Sequence, residues 1–582
     1  MLASESLQEE EPVWVLPKKD SKLQEKIIRE FHLHPVTAQI LVSRGFTNLK
    51  EIHHYLYSKL PDLHDPFLLA GMPQAVDRIL SAIEQGEYIV VYGDNDVDGM
   101  TGTALLTDYL SQIGAKVLPY ISSRSILRES LFYDALEFAL QNNCKLMITV
   151  DCGITAAIEV AKVVKKGVDV IITDHHEPTD EIPHCVATLN PKLVGNSYPN
   201  RELTGVGVAF KLIHALTNRL VSTGKLAADA IDLKSYLDLV ALGTISDMGS
   251  LLGENRILVR YGILQLRMGE RVGLAKLMEV CDIRPGELST FDVASKIAPR
   301  LNSLGRIDDP KKGVELLLIK DAADAELLAK ELDINNIERQ RIERTMSADV
   351  EQSLAKDPQI LQRRAIVMAS DKWHPGVIAI VCTRICKMYN RPTMMIAIED
   401  NIGKGSIRTI REFPVLQVLK DNADMLLNFG GHDFAAGVTL QERNIETFKE
   451  KFIAAAEAEL GEEDILSKLY LDSEVNFDEL TFDFMESIKL LEPFGNENSP
   501  PVLYCDAKQA WPPKVIGKSH LRLYLRQGER ILEGVAFGKG HHYRSLRRKN
   551  LTLRVAFTPQ INIFQNKASI QLLIRDLRIM EK

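Results

Sequence analysis

The sequence predicts a multi-domain α/β protein: a doubly wound parallel-sheet domain, a smaller α/β domain joined to it by a long helix, and a small C-terminal β-barrel. Between residues 86 and 320, short apolar runs alternate with helical stretches, the rhythm of βαβ units. Between 321 and 358 the chain is densely charged, with Ile342, Met346, Val350 and Leu354 four apart, as on one stripe of a long helix. Beyond residue 500 apolar and polar residues alternate with period two, the pattern of half-buried strands that close into a barrel. At 582 residues the chain exceeds one ordinary core, and length alone favours about three or four domains.

Taken in order, residues 1–85 read as an N-terminal helical extension. An apolar stretch, 36–42, follows Pro35, and Pro73 opens a run through Ile79, Leu80 and Ile83. Within 86–320, residues 88–92, 146–150 and 168–173 are short, rich in β-branched residues and bounded by turn residues, as buried parallel strands are. Further strands are expected at 116–121 and 185–189, with a helix over 154–164. A connecting helix then fills 321–360, and strands at 365–368 and 393–398 belong to the second α/β domain, 361–460. In 461–582, Leu521, Leu523 and Leu525 alternate with Arg522, Tyr524 and Arg526. Leu551, Leu553 and Val555, and then Ile570, Leu572 and Ile574, repeat the period.

Charge is polarised along the chain. Residues 501–582 hold 16 Lys+Arg against 5 Asp+Glu, a net +11, which leaves −20 for the first 500 residues of a chain whose total is −9. A basic tail on an acidic body points to a polyanion met at one end, the plainer alternative being a solvated basic surface with no partner. No stretch approaches the ~18 apolar residues of a membrane helix, and residues 1–5 do not begin a signal peptide, so the expectation is a cytoplasmic protein with no membrane partner. Seven scattered cysteines argue for reduced thiols; Cys382 and Cys386, one helical turn apart in an apolar stretch, read as core.

Chemistry-bearing residues follow the apolar runs directly: Asp94, Asp96 and Asp98 with Gly99 after the first, Asp151-Cys152-Gly153 after the second, and Asp174-His175-His176 after the third. Taken singly, each cluster is equally well explained as helix capping or turn chemistry. Residues 94–99 match the start of a calcium-binding EF-hand loop, but its twelfth position is Leu105 rather than glutamate and a strand precedes it. Together the clusters say more, because groups just past the C-termini of parallel strands converge on one crevice. Asp247, after the apolar stretch 237–246, adds another carboxylate. Crowded carboxylates with imidazoles and no thiolate suit Mn²⁺ or Mg²⁺ better than structural zinc. The donor number fits two ions better than one, with Asp151 as the candidate bridge, an arrangement that activates water for in-line phosphoryl displacement.

These segments resemble the four-motif signature of the DHH phosphoesterase superfamily. Trp373-His374-Pro375-Gly376-Val377-Ile378, Gly403-Lys404-Gly405-Ser406-Ile407-Arg408 and the stretch from Gly430 to Gly437 are similar to its companion DHHA1 domain. The stretch from Ala298 to Arg306 resembles a motif of the RecJ family of single-strand-specific 5′→3′ DNA exonucleases, and the likeness runs from about residue 75 to the C-terminus. The resemblance implies two Mn²⁺ or Mg²⁺ ions on Asp94, Asp96, Asp98, Asp151, His175 and Asp247, with Asp174 and His176 in contact with the ions or beside them, and Asp151, His175 and His176 as catalytic residues. It implies DNA contacts from Arg124, Arg300, Asn302, Arg306, His374, Ser406, Arg408, Gly430, Gly431 and His432. It also makes the tail an OB-like domain, in which Lys514, Lys518, Arg522, Arg526, Arg530, Arg544, Arg547, Arg548 and Lys549 mingle with Trp511, Tyr524 and Tyr543 as a single-strand surface.

The chain departs from the family pattern in two places. Asn95 stands where an aromatic residue is usual, and residues 123–131 lack the usual glycine-bearing turn while keeping Arg124. The implied activity is metal-dependent release of 5′-mononucleotides from single-stranded DNA in repair and recombination, by a monomer partnered by a single-strand-binding protein and a helicase. The alternatives are a phosphodiesterase of small nucleotides or short oligonucleotides, which needs no basic barrel, and an inactive DNA-binding scaffold, which needs no complete ligand set.

Overall fold

The computed structural model describes residues 11–122, 131–432, 434–517, 519–548, 551–565 and 567–580. They divide into two compact units, one of Lys59–Ile465 with the turn Gly495–Asn498, the other of residues 11–58, Leu466–Phe494 and the chain from Ser499 on.

The described part of the expected helical extension, residues 11–85, is divided between the two units. Val13–Val15 is a strand paired in parallel with Lys468–Tyr470, and the Trp14 indole donates to the buried Asp576 carboxylate at 2.8 Å, which sews the start of the chain into the second unit. The helix Met72–Glu84 instead buries Met72, Ala75, Val76 and Ile79 in the first unit's core. A helix with one apolar stripe needs a core to cover it, and the two parts of this segment find different ones.

The first unit opens with a five-stranded all-parallel sheet. In chain order its elements are β1 (Tyr88–Gly93), α1 (Val97–Gln112), β2 (Lys116–Ile121), β3 (Cys144–Val150), α2 (Ala157–Lys165), β4 (Asp169–Thr173), β5 (Ala187–Leu189), α3 (Gly205–Ser222) and α4 (Leu237–Ser246). The strand order is β2-β1-β3-β4-β5, so the three strands that precede the acidic clusters are adjacent. Ile89, Val91, Leu146, Ile148 and Ile171 fill one face, and Val90, Tyr92, Met147, Val170 and Ile172 fill the other. Burial on both faces is why these strands read as unbroken apolar runs. α2 begins three residues later than the pattern predicts, because the Ile154 amide is drawn to the Asp174 carboxylate at 2.9 Å instead of opening a helix.

α5 (Ala322–Lys356) runs 35 residues and starts at Asp321, whose carboxylate caps the Ala323 and Asp324 amides. Its Ala329 and Leu332 pack into the first core, and its Met346, Val350 and Leu354 into a second. The second lobe comprises β6 (Ile366–Ser370), α6 (Ile378–Tyr389), β7 (Thr393–Glu399), β8 (Ile402–Arg408), β9 (Leu426–His432) and β10 (Ala435–Gln441), in the order β9-β10-β8-β7-β6 with only β6 and β7 parallel.

In the second unit β11 (Leu503–Ile516), β12 (His520–Gln527), β13 (Arg530–Ala536), β14 (Thr552–Phe564) and β15 (Lys567–Met580) pair as β11-β12-β13-β15-β14, and β14 returns to β11. The barrel is closed, so its strands leave no open edge.

A buried ion pair anchors α3. Lys211 Nζ lies 2.5 Å from Glu254 Oε1 with neither side chain exposed, and donates to His64 O at 2.8 Å; Tyr198 donates to Glu254 Oε2 at 2.5 Å. Lys211→Met strands a buried carboxylate, and a loss of about 3–5 kcal/mol is expected in urea unfolding. Lys211→Met with Glu254→Gln should recover much of it, whereas an unchanged midpoint for the single variant would contradict the pairing.

Candidate metal centre

Three backbone hydrogen bonds line up the acidic clusters. Just past β1, the Asp94 amide donates to Val150 O of β3 at 3.1 Å; past β3, the Asp151 amide donates to Thr173 O of β4 at 2.9 Å; past β4, the Asp174 amide donates to Leu189 O of β5 at 3.0 Å. Each aspartate stands one step beyond its own strand and is held by the next. Asp151 takes a left-handed backbone, φ 61°, a conformation uncommon for a residue with a Cβ and frequent at functional sites.

The neighbouring carboxylates come from helix ends. Asp96 caps α1, accepting the Gly99 amide at 3.1 Å. Asp98, in the first turn and buried, accepts the Gly205 and Val206 amides at 2.6 and 3.0 Å, so its charge sits on the positive end of α3. Only glycine fits at 205, since a Cβ there would lie 2.5 Å from Asp151 Cβ and 2.8 Å from its Oδ1. Asp247 closes α4.

His175 reaches into this ring. Its Nε2 lies 2.9 Å from Asp151 Oδ1, 3.6 Å from Asp247 Oδ2 and 4.0 Å from Asp98 Oδ2. Asp151 Oδ1 and His175 Nε2 are both buried and, close as they are, lack the alignment of a hydrogen bond. Two lone-pair atoms turned toward a shared point are what a cation site requires. The ligand atoms of Asp94, Asp96 and Asp151, of Asp98, His175 and Asp247, and of Asp151, His175 and His176 fall into three groups, each within 4.8 Å. Asp151 and His175 each belong to two groups, which fits two ions sharing a carboxylate.

The electrostatics agree. Burial first, and then the surrounding carboxylates, push the Asp98 and Asp151 carboxyls well above the usual range, and burial with Asp96 pushes Asp247 to about 7. Crowding and burial here favour the protonated carboxyls, and a bound cation would favour the ionised ones. Burial, and then the neighbouring His176, lower His175 to about 3, leaving a neutral imidazole able to ligate. The Cys152 thiol is pushed up by burial and by Asp94 and Asp174, so it supplies no thiolate.

Of the two places the resemblance allows Asp174, in contact with the ions or beside them, its hydrogen bonds favour the second. Its Oδ2 accepts the Ile154 amide at 2.9 Å, and its Oδ1 accepts the His175 amide at 2.7 Å, the His176 amide at 3.1 Å and His176 Nδ1 at 2.7 Å. It belongs to none of the candidate groups among the described residues. Against burial, which would raise it, the His176 bond and charge hold it down at about 2, and against the same burial it lifts His176 to about 9. Asp174 therefore fixes the His176 imidazole and the backbone of both histidines.

In the second lobe His432 stacks on His176, ring centres 5.1 Å apart and planes within 16°. Gly430 and Gly431 lie in β9, opposite Gly437 and Ala436, and a Cβ at 431 would meet the Ala435 carbonyl at 2.3 Å. Ser406 and Arg408 lie on β8, with Arg408 donating to Ser406 Oγ at 3.1 Å and to Ile407 O at 2.7 Å. His374 Nδ1 accepts the Gly376 amide at 3.1 Å, the turn-capping role. Arg306 donates to Gly376 O at 3.0 Å, and Asn302 Oδ1 accepts the Val97 amide at 3.3 Å, bracing the loop of Asp94 and Asp96. Arg300 is paired with Asp333 at 2.8 Å and gives another donor to Lys296 O at 2.7 Å. Arg124, Lys518 and Lys549 lie outside the described residues.

On the barrel, β11 and β12 place Lys508 opposite Arg526, Trp511 opposite Tyr524 and Lys514 opposite Arg522. The two rings meet edge-on at 5.1 Å. Like charges directly opposite destabilise a strand pair, and two such pairs around an aromatic platform suit a surface that meets phosphates and bases. Arg530 does not join it; it donates to the Phe477 and Leu480 carbonyls.

Sequence reading missed the Gly205 and Val206 amides and Asn190, whose Nδ2 donates to His176 O at 2.9 Å. It also missed Lys192, which pairs with Glu177 at 3.1 Å. A Thr-Gly-Val-Gly helix start at 204–207 and an Asn-Pro pair after a strand were the available signals.

A doubly wound sheet bearing this ring, a mixed-sheet second lobe and a closed barrel together define a DHH-type protein. Residues 88–244 match the DHH family N-terminal domain, 362–459 the DHHA1 domain and 471–576 the RecJ OB domain. The chain belongs to the RecJ family. It is 35% identical over 573 residues to the single-stranded-DNA-specific exonuclease RecJ of Bacillus subtilis, covering 98% of this chain and 71% of that one. It is 33% identical to the Haemophilus influenzae RecJ, over 93% of this chain and 96% of that one. The crystal structure of Thermus thermophilus RecJ in complex with Mn²⁺ superposes with a TM-score of 0.82 at 30% identity, covering 98% of this chain and 80% of that one.

Gly205→Ala tests the packing of α3 against Asp151. Overpacking should cost about 1–3 kcal/mol, and Mn²⁺ affinity by calorimetry should fall about 10–100-fold. Wild-type affinity would show that α3 does not set the carboxylate.

Proposed function

We propose that this protein is a single-stranded-DNA-specific exonuclease that hydrolyses strands from the 5′ end to 5′-mononucleotides with two divalent cations, Mn²⁺ or Mg²⁺, in DNA repair and recombination. The observation that carries it is the buried ring around Asp151 and His175, whose facing atoms lack hydrogen-bond partners, within a chain of the RecJ family. Asp94, Asp96 and Asp151 would hold one ion, and Asp98, His175 and Asp247 the other, with Asp151 between them. Bound there, the ions supply an acidified water and neutralise charge on the phosphate.

The protein's own groups supply positioning. Asp174 accepts a hydrogen bond from His176 Nδ1, which fixes that ring's orientation and its face against His432. Asp98, seated on the α3 amides, keeps its carboxylate where His175 Nε2 comes within 4.0 Å. Arg408, half-buried beside Ser406 on β8, offers donors to a terminal phosphate, which supports attack at a strand end. The basic and aromatic row on β11 and β12 supports a polymeric substrate over a cyclic dinucleotide, and the complete ring of donors supports an enzyme over a scaffold. No helix among the described residues is long and apolar enough to cross a membrane. We read the protein as a cytoplasmic monomer whose strands are delivered by a helicase and a single-strand-binding protein.

Asp151→Ala and His175→Ala should each lower turnover of 5′-phosphorylated single strands by at least about 10³-fold with little loss of strand binding, and EDTA should do the same to the unaltered protein. Wild-type turnover by both variants would defeat the reading. In Lys514→Ala with Arg526→Ala, the slope of log affinity against log salt should flatten by about 1.4 on long single strands, two contacts at ~0.7 each. An unchanged slope would favour a small substrate.

A further inference from the structure

Asp247 is followed by a loop that is gripped from outside. The Asp247 amide closes α4 on Gly243 O at 2.9 Å. Met248, the next residue, has φ 57° and an apolar side chain 60% exposed. A Cβ-bearing residue stays in the left-handed region only where its surroundings impose it. On the inner side the loop packs closely, since a Cβ at Gly249 would lie 2.5 Å from Thr204 Cγ2 at the start of α3.

On the outer side stands the turn Gly495–Asn498, closed by its own hydrogen bonds, Gly495 N to Asn498 O at 2.9 Å and Asn498 N to Gly495 O at 3.2 Å. Asn496 Nδ2 donates to Met248 O at 2.6 Å, and Asn496 O accepts the Leu251 amide at 3.0 Å. Gly495 packs so closely that a Cβ would lie 2.5 Å from Leu251 Cδ1. One residue thus holds both ends of the 248–251 loop. It comes from a stretch flanked on both sides by second-unit chain and lies inside the segment that matches the RecJ OB domain, not the DHH or DHHA1 segments.

We propose that Asn496 is a positioning residue for Asp247. By fixing the Met248 peptide it holds the preceding carboxylate in the ring, so cation binding there depends on a side chain 248 positions further along the chain. This rests on the reading of Asp247 as a cation ligand.

The test uses the full-length, metal-stripped chain as Asn496→Asp, Asn496→Ala, Glu497→Gly and Asp247→Ala. Asn496→Asp keeps the turn but replaces the donor with an acceptor facing a carbonyl. Glu497, exposed at φ 57° in the same turn, tolerates glycine and serves as the control. Mn²⁺ titration by calorimetry should show affinity lower by about 10-fold for both Asn496 variants, with kcat on a short 5′-phosphorylated oligonucleotide lower by about as much. KM and the thermal midpoint should hold, and Glu497→Gly should match the wild type. Wild-type Mn²⁺ affinity and kcat in both Asn496 variants, with affinity lost in Asp247→Ala, would overturn the proposal alone. Wild-type affinity in Asp247→Ala would overturn the reading of the centre and the proposal with it.

Discussion

Three amide-to-carbonyl hydrogen bonds, each from an aspartate just past one parallel strand to the last residue of the next, are the constraint on which the rest of the molecule depends. They place three clusters far apart in sequence along one sheet edge, and β1, β3 and β4 are adjacent because the strand order is β2-β1-β3-β4-β5. The ladder lends its rigidity to the carboxylates, which no loop of this length supplies alone. The consequence is electrostatic. Asp98 and Asp151 are pushed toward the protonated state first by burial and then by neighbouring carboxylates, Asp247 and Asp96 for Asp98, Asp98 and Asp96 for Asp151, so a cation placed there would favour their ionised forms.

Other elements keep the ring in place. α3 offers its first amides to Asp98 and its glycine face to Asp151, and the buried Lys211–Glu254 pair holds the helix itself. Asp174 uses its carboxylate on backbone and imidazole donors, so the residue that opens the Asp-His-His run orients the two that follow it. α5 enters the cores of both lobes of the first unit, and the His176–His432 stack joins those lobes at the ring.

Much of this was legible in sequence. A short buried parallel strand has a strong signature, an unbroken β-branched run, and an acidic cluster directly after it points to the sheet edge; β1, β3 and β4 were read that way. The period-two rows of the barrel and the four-residue stripe of α5 were equally plain. What escaped detection depends on partners distant in sequence. Val13–Val15 pairs with Lys468–Tyr470, Arg300 is taken up by Asp333, and Gly430–Gly431 lie in a strand where β10 leaves no room for a Cβ at 431. Local pattern does not encode who the partner is. Asn496 is the extreme case, an exposed turn asparagine whose meaning comes only from the carbonyl it meets.

The most direct measurement of the central claim is anomalous diffraction at the manganese edge from crystals grown with Mn²⁺. Two peaks about 3.5–4 Å apart, with Asp151 between them and His175 and Asp247 on the same ion, are expected. A single peak away from Asp151, or none within reach of His175, would contradict the account.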